Sequence, residues 1–110
     1  MLDRLRQQGV EVDNILKSLN GKEAIYEKFV FKFYNMIKEG EPIENYKDHN
    51  ELYERVHGLK GVVANLGITP LFNEYVKILD LIKAEKLEQI PSAIDEMNIV
   101  QERILKCIKP

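Results

Sequence analysis

Apolar residues recur along most of this chain at steps of three and four, a period that suits helices and not strands. In the first such segment, roughly Val12 to Leu19, one face holds Val12, Ile15, Leu16 and Leu19, and Gly21 ends it. The second, Lys22 to Gly40, aligns Ile25, Phe29, Phe33, Met36 and Ile37, and Gly40, Glu41 and Pro42 break it. The third is expected from about Glu44 to Leu66, with a seam of Leu52, Val56, Leu59, Val63 and Leu66. Gly67 suits the left-handed residue that closes it. Thr69 then reads as an N-cap and Pro70 as a first helical residue. A fourth helix carries Leu71, Tyr75, Ile78 and Ile82, and a fifth carries Ile90, Ile94, Met97, Val100, Ile104 and Ile108, with Pro91 placed near its start. The one Asn-Gly pair, Asn20-Gly21, follows a helical pattern and reads as a helix stop, not a hairpin.

The expected fold is therefore all-α: an antiparallel up-down-up-down bundle of four long helices with an additional short N-terminal helix. Gly9 and Val10 mark a short lead-in. Residues 1–110 fit one domain, and an apolar content of 45% gives enough material for a core. No Lys/Arg run exceeds two, and the net charge is −2, so a nucleic-acid surface is not expected. The single cysteine, Cys107, excludes an internal disulfide and points to a reducing cytoplasm. The start of the chain has no apolar core of a signal peptide, and no apolar run is long enough for a membrane span.

Chemistry-bearing residues are few. The two histidines, His49 and His57, do not have the company or spacing of a zinc site. Nor is there a Gly-rich phosphate loop, a nucleophile elbow, or the inward Glu-x-x-His pairs of a metal- or haem-binding bundle. The segment from Arg55 to Gly67, RVHGLKGVVANLG, stands out. On a helical wheel its apolar seam centres about 140° from His57, so the histidine faces outward while its own turn is anchored. Tyr53, Lys60, Gly61 and Ala64 share the His57 face, and Gly58 is adjacent. A glycine inside a helix costs about 1 kcal/mol relative to alanine. Two glycines beside one histidine suggest that close access to the imidazole matters, most directly at Gly61. Lys60 places a cation where it can hold a phosphoryl oxygen. A neutral imidazole has one unprotonated ring nitrogen, which is a competent nucleophile towards activated phosphorus.

These residues resemble the signature of histidine-containing phosphotransfer (HPt) domains, which reads approximately H-x-L-K-G followed by small residues, Asn and Leu-Gly. His57, Leu59, Lys60, Gly61, Ala64, Asn65, Leu66 and Gly67 fit it, and the second helix and the stretch to Leu71 are similar as well. The fourth helix departs from the family pattern: Leu79-Asp80 is displaced by about one residue from the usual Leu-Glu pair, and bulky Tyr75 stands where small residues are common. The resemblance implies a phosphorelay carrier. His57 would accept a phosphoryl group from the phospho-aspartate of one response-regulator receiver domain and pass it to another. It implies no autonomous kinase activity and no cofactor of the chain's own, with Mg2+ supplied by the partner receiver. The source would be either a phosphorelay protein or a hybrid sensor histidine kinase that acts in cis, and a monomer is the default expectation for a chain of this size. The linker-free ends fit an excised domain, and a membrane anchor, if the parent has one, would lie elsewhere.

Blander roles compete with these. His49 reads as a solvated polar residue and Cys107 as core. Lys60 and Gly58 have ordinary surface readings, and Asn65 is expected to hydrogen-bond near the helix end. The aromatic group Phe29, Phe31, Phe33 and Tyr34 is expected to be mostly core, with Phe31 and Tyr34 off the seam and able to join a docking patch. The competing function is a non-phosphorylated helical-bundle interaction module that docks a signalling partner.

Overall fold

Each long apolar run folds as a helix in the computed structural model, which describes residues 1–108. Lys109 and Pro110, the last two positions of the expected single domain, lie outside the described residues. The elements are α1 (Leu2–Gln7), α2 (Val12–Ser18), α3 (Glu23–Glu39), α4 (His49–Asn65), α5 (Thr69–Lys83) and α6 (Ile90–Ile108), with one 3-10 turn at Leu87–Gln89 before α6. No strand occurs among the described residues. Pro91 falls in the first turn of α6, where its missing N–H is harmless. No helix among the described residues is long and apolar enough to cross a membrane.

Two boundaries differ from expectation. The segment before Gly9 is a helix, α1, not a mere lead-in; Leu2 and Leu5 are buried, and α1 packs on α6. At six residues it has less than two turns and too few apolar positions to reveal a period. The third expected helix starts at His49 instead of near Glu44, because Asp48 caps it by accepting the Glu51 N–H at 2.8 Å. The preceding loop is tied down from α4. The Arg55 guanidinium donates to the carbonyls of Glu41 (2.6 Å), Asn45 (2.9 Å) and Pro42 (3.1 Å), and Ile43 is buried beneath.

The corner between α4 and α5 joins most of the molecule. Gly67 has φ +72°. Its N–H donates to Ala64 O at 3.2 Å and that of Ile68 to Val63 O at 2.9 Å, which closes α4 in a Schellman motif. The Tyr26 hydroxyl of α3 donates to Leu66 O at 2.8 Å, and the Glu11 N–H at the head of α2 donates to Gly67 O at 2.9 Å. Thr69 does not cap α5 as expected. Ile68 is the N-cap residue, and Thr69, inside the helix, donates its hydroxyl to Glu11 Oε2 at 2.8 Å.

The core seams of α4, α5 and α6 follow the expected positions. Leu52, Val56, Val63, Leu66, Leu71, Tyr75, Ile78, Ile90, Ile94, Met97, Ile104 and Ile108 are buried, and Leu59, Ile82 and Val100 are partly so. Tyr75, the bulky residue of α5, is fully buried and donates its hydroxyl to Gln101 Oε1 at 3.1 Å. Cys107 is buried. The α3 seam, however, is rotated by about a sixth of a turn from the expected stripe. Tyr26, Val30 and Phe33 face the core, whereas Ile25 (37% exposed), Phe29 (42%) and Met36 (41%) face outward. Phe31, Tyr34 and Ile37 are partly buried against the core. An apolar arc this wide has two edges, and the edge that turns inward is the one whose Tyr26 hydroxyl finds a buried acceptor, Leu66 O.

Two outcomes follow for stability. A Cβ at Gly67 would lie 2.9 Å from Ile15 Cγ1 and 3.2 Å from Glu11 O, in a left-handed backbone. Gly67→Ala should lower the unfolding free energy by about 1–3 kcal/mol in urea titration; an unchanged midpoint would contradict the corner's role. Burial pushes the Tyr26 phenol up to about 12 and raises that of Tyr75 as well. The unfolded chain therefore loses these protons first. Stability is complete below about pH 10 and falls as pH rises towards the folded values. Thermal melts should show that alkaline fall, and Tyr75→Phe should blunt it.

Candidate functional site

The site is built on the outer face of α4. Leu52 and Val56 sink one side of the helix into the core, and His57 on the opposite side is exposed. The imidazole is not loose on that surface. Tyr53, one turn earlier, lies against it with ring centroids 5.9 Å apart and planes only 14° from parallel. The Tyr53 ring is also approached from the next helix, because Lys83 Nζ in the last turn of α5 lies 5.7 Å from its centroid. Lys60, one turn after His57, is half-buried. Among the described residues neither Lys60 nor Lys83 has a carboxylate within ion-pair distance.

Gly58 and Gly61 are exposed, and a Cβ built on either would meet nothing within 4 Å. Neither glycine is needed for packing, and neither has a positive φ. Their fold-internal effect is unfavourable, since each weakens a helix interior. What they provide is bare backbone beside His57. Gly58 also lines a shallow groove of about 600 Å³ with Met36, Ile37, Pro42, Glu54 and Val62. A second groove of about 410 Å³ lies between α3 and the end of α4, with Phe29, Met36, Val62 and Asn65 in its walls. His57 thus borders an apolar surface on its α3 side and carries cations on its α5 side.

The structure brings His57, Lys60 and Gly61 onto one face, and Ala64 is exposed beyond them. Asn65 does not secure the helix end as expected. Its side chain is exposed, makes no hydrogen bond among the described residues, and lines the groove; Gly67 and the Tyr26 hydroxyl close the helix instead. His49 is the first residue of α4, half-buried, with its ring tilted against Tyr46 at 5.7 Å. It is a packing residue more than two turns from His57. Cys107 Sγ lies 3.4 Å from Arg103 O in the interior. Tyr53 stands on the His57 face at i, i+4 spacing, the one signal in the sequence for its contact with the imidazole. Lys83 could not be found that way, because tertiary packing of α5 on α4 brings it in. Among the described residues no three His, Cys, Asp or Glu side chains gather as a metal site.

Chemically, the arrangement offers one exposed imidazole beside the Tyr53 ring, with Lys60 one turn along the helix and Lys83 over that ring. Such a group can attack an electrophile that another molecule presents. Gly58→Ala and Gly61→Ala should each raise the unfolding free energy by up to about 1 kcal/mol, because the methyl enters open space and favours the helix. Loss of stability in either variant would show that the glycines serve the fold. Compared with known proteins, the chain matches no family model, no curated protein and no solved structure.

Proposed function

We propose that this chain is a phosphorelay carrier of the histidine phosphotransfer kind, with His57 as phosphoacceptor. The observation that carries the reading is the pair Gly58 and Gly61. Both weaken α4, neither answers to any neighbour, and both bare the backbone around an exposed histidine on a core-anchored turn. Four long helices, α3 to α6, with short connections between α4, α5 and α6 support an antiparallel up-down-up-down bundle as the scaffold. The motif from His57 to Gly67 supports the family resemblance.

In this reading a receiver domain presents its phospho-aspartate to the bare side of α4. The His57 lone pair attacks phosphorus, the bond from phosphorus to the aspartate oxygen breaks, and the carboxylate leaves with that electron pair. The ring's remaining proton passes to solvent. Transfer to a second receiver reverses these steps. Tyr53 keeps the imidazole from turning, and Lys60 draws a phosphoryl oxygen. Magnesium belongs to the receiver, which supplies most of the transition-state stabilisation. The chain itself has no kinase activity in this scheme, works as a monomer, and suits a reducing cytoplasm.

The exposed face of Ile25, Phe29 and Met36 favours a second reading, a bundle that docks a signalling partner without being phosphorylated. Incubation with a phosphorylated receiver and magnesium separates the two. The wild type should gain acid-labile, alkali-stable label, and His57→Gln should gain none. Lys60→Ala should keep its fold while taking up label more slowly or holding it less long. Gly61→Ala should slow transfer by roughly tenfold or more despite its added stability, because a methyl displaces the incoming phosphorus. Equal labelling of wild type and His57→Gln, or of neither, would leave the docking reading alone.

A further inference from the structure

Tyr53 and Lys83 form a unit that the motif around His57 does not contain. The tyrosine ring lies nearly parallel to the imidazole at 5.9 Å, and the Lys83 ammonium lies 5.7 Å from the centre of the same ring. One residue comes from α4 and the other from the last turn of α5. Lys83 is exposed and, among the described residues, has no carboxylate partner. An ammonium without an anion rests on a π face because the ring quadrupole attracts it, and that attraction is weak at an exposed site. It is weak enough to be exchanged for a stronger partner.

We propose that Lys83 is a phosphoryl-binding cation held in waiting on Tyr53, and that Tyr53 is the positioning residue that couples it to His57. This inference deepens the reading of His57 as phosphoacceptor and rests on it. When the imidazole acquires a phosphoryl group, a doubly charged anion appears beside the Tyr53 ring. A lysine side chain, with its rotatable stem, exchanges a π contact for a charge-assisted contact with a phosphoryl oxygen. Lys60 belongs to the same helix as His57, whereas Lys83 comes from α5, so cations from two elements can converge on the α5 side of the anion. The α5 cation also ties the phosphorylated state to the packing of α5 on α4.

Phosphoramidate provides a test that needs no receiver. The His57 lone pair forms the new nitrogen–phosphorus bond, the bond from phosphorus to the amide nitrogen breaks, and ammonia leaves with its electrons. The ring proton passes through solvent to the ammonia. The full chain is incubated with phosphoramidate at low salt, and phosphohistidine formation and decay are followed by NMR. Lys83→Gln should form phosphohistidine about two- to fivefold more slowly or lose it that much faster, the range set by an exposed cation–π contact. Lys83→Arg should restore the wild-type rate, and added salt should shrink the difference. Tyr53→Leu should remove the ring-current shift of the His57 imidazole protons and abolish the effect of Lys83→Gln, whereas Tyr53→Phe should retain both. Wild-type rates in Lys83→Gln, with His57 phosphorylated normally, would overturn the role of Lys83 and leave the phosphoacceptor intact. Failure of the wild type itself to label at His57 would overturn both.

Discussion

The end of α4 is where four helices are tied together, and the left-handed backbone of Gly67 makes the tie possible. Its carbonyl receives α2 through the Glu11 N–H, the neighbouring Leu66 carbonyl receives α3 through the Tyr26 hydroxyl, and Ile68 opens α5. A Cβ at this position would collide with Ile15 and Glu11, so the approach of α2 depends on glycine as much as the turn does. The other end of the same helix is held by the Asp48 cap and by Arg55 on the carbonyls of the preceding loop. Both ends are tied and Leu52, Val56 and Val63 are buried, so rolling α4 would expose that seam and break those ties. His57 is therefore outward by construction, at a defined place relative to α3 and α5.

That rigidity gives meaning to the two glycines without neighbours. A flexible surface helix can carry glycine through indifference. A helix secured at both ends and along its buried side keeps its destabilising residues in one place, next to its one outward histidine. Stability and access are opposed at Gly58 and Gly61, and at Gly67 they are not. The same residue type thus serves the fold at one end of the motif and, in the proposed carrier, a visitor at the other.

The sequence made the seams of α4 to α6 legible because the apolar residues that recur there at three- and four-residue steps lie on the face that turns inward. The outward placement of His57 followed from that face alone. Three things were hidden for physical reasons. Helix α1 is too short to show a period. Helix α3 is apolar over so wide an arc that its period fits two rotations, and Tyr26, polar by name, turned out to be the buried edge through its hydroxyl. The start of α4 was blurred by polar residues on both sides of Asp48, although Asp48 and Glu51 stand at capping spacing. Around the site, Tyr53 was visible one turn from His57, but its stacking was not. Lys83 was beyond reach, because contact between α5 and α4 belongs to tertiary structure.

In a phosphorelay carrier of this kind the reacting atom is a ring nitrogen of His57. Heteronuclear NMR of the imidazole nitrogens, recorded before and after exposure to a phosphorylated receiver with magnesium, addresses it directly. A phosphorelay carrier should show a single His57 ring nitrogen moving to the position of a phosphorus-bonded nitrogen and returning when an unphosphorylated receiver is added, with His49 unmoved. An unchanged His57 spectrum while the receiver loses its phosphoryl group, or a phosphorus-bonded nitrogen on His49, would contradict it.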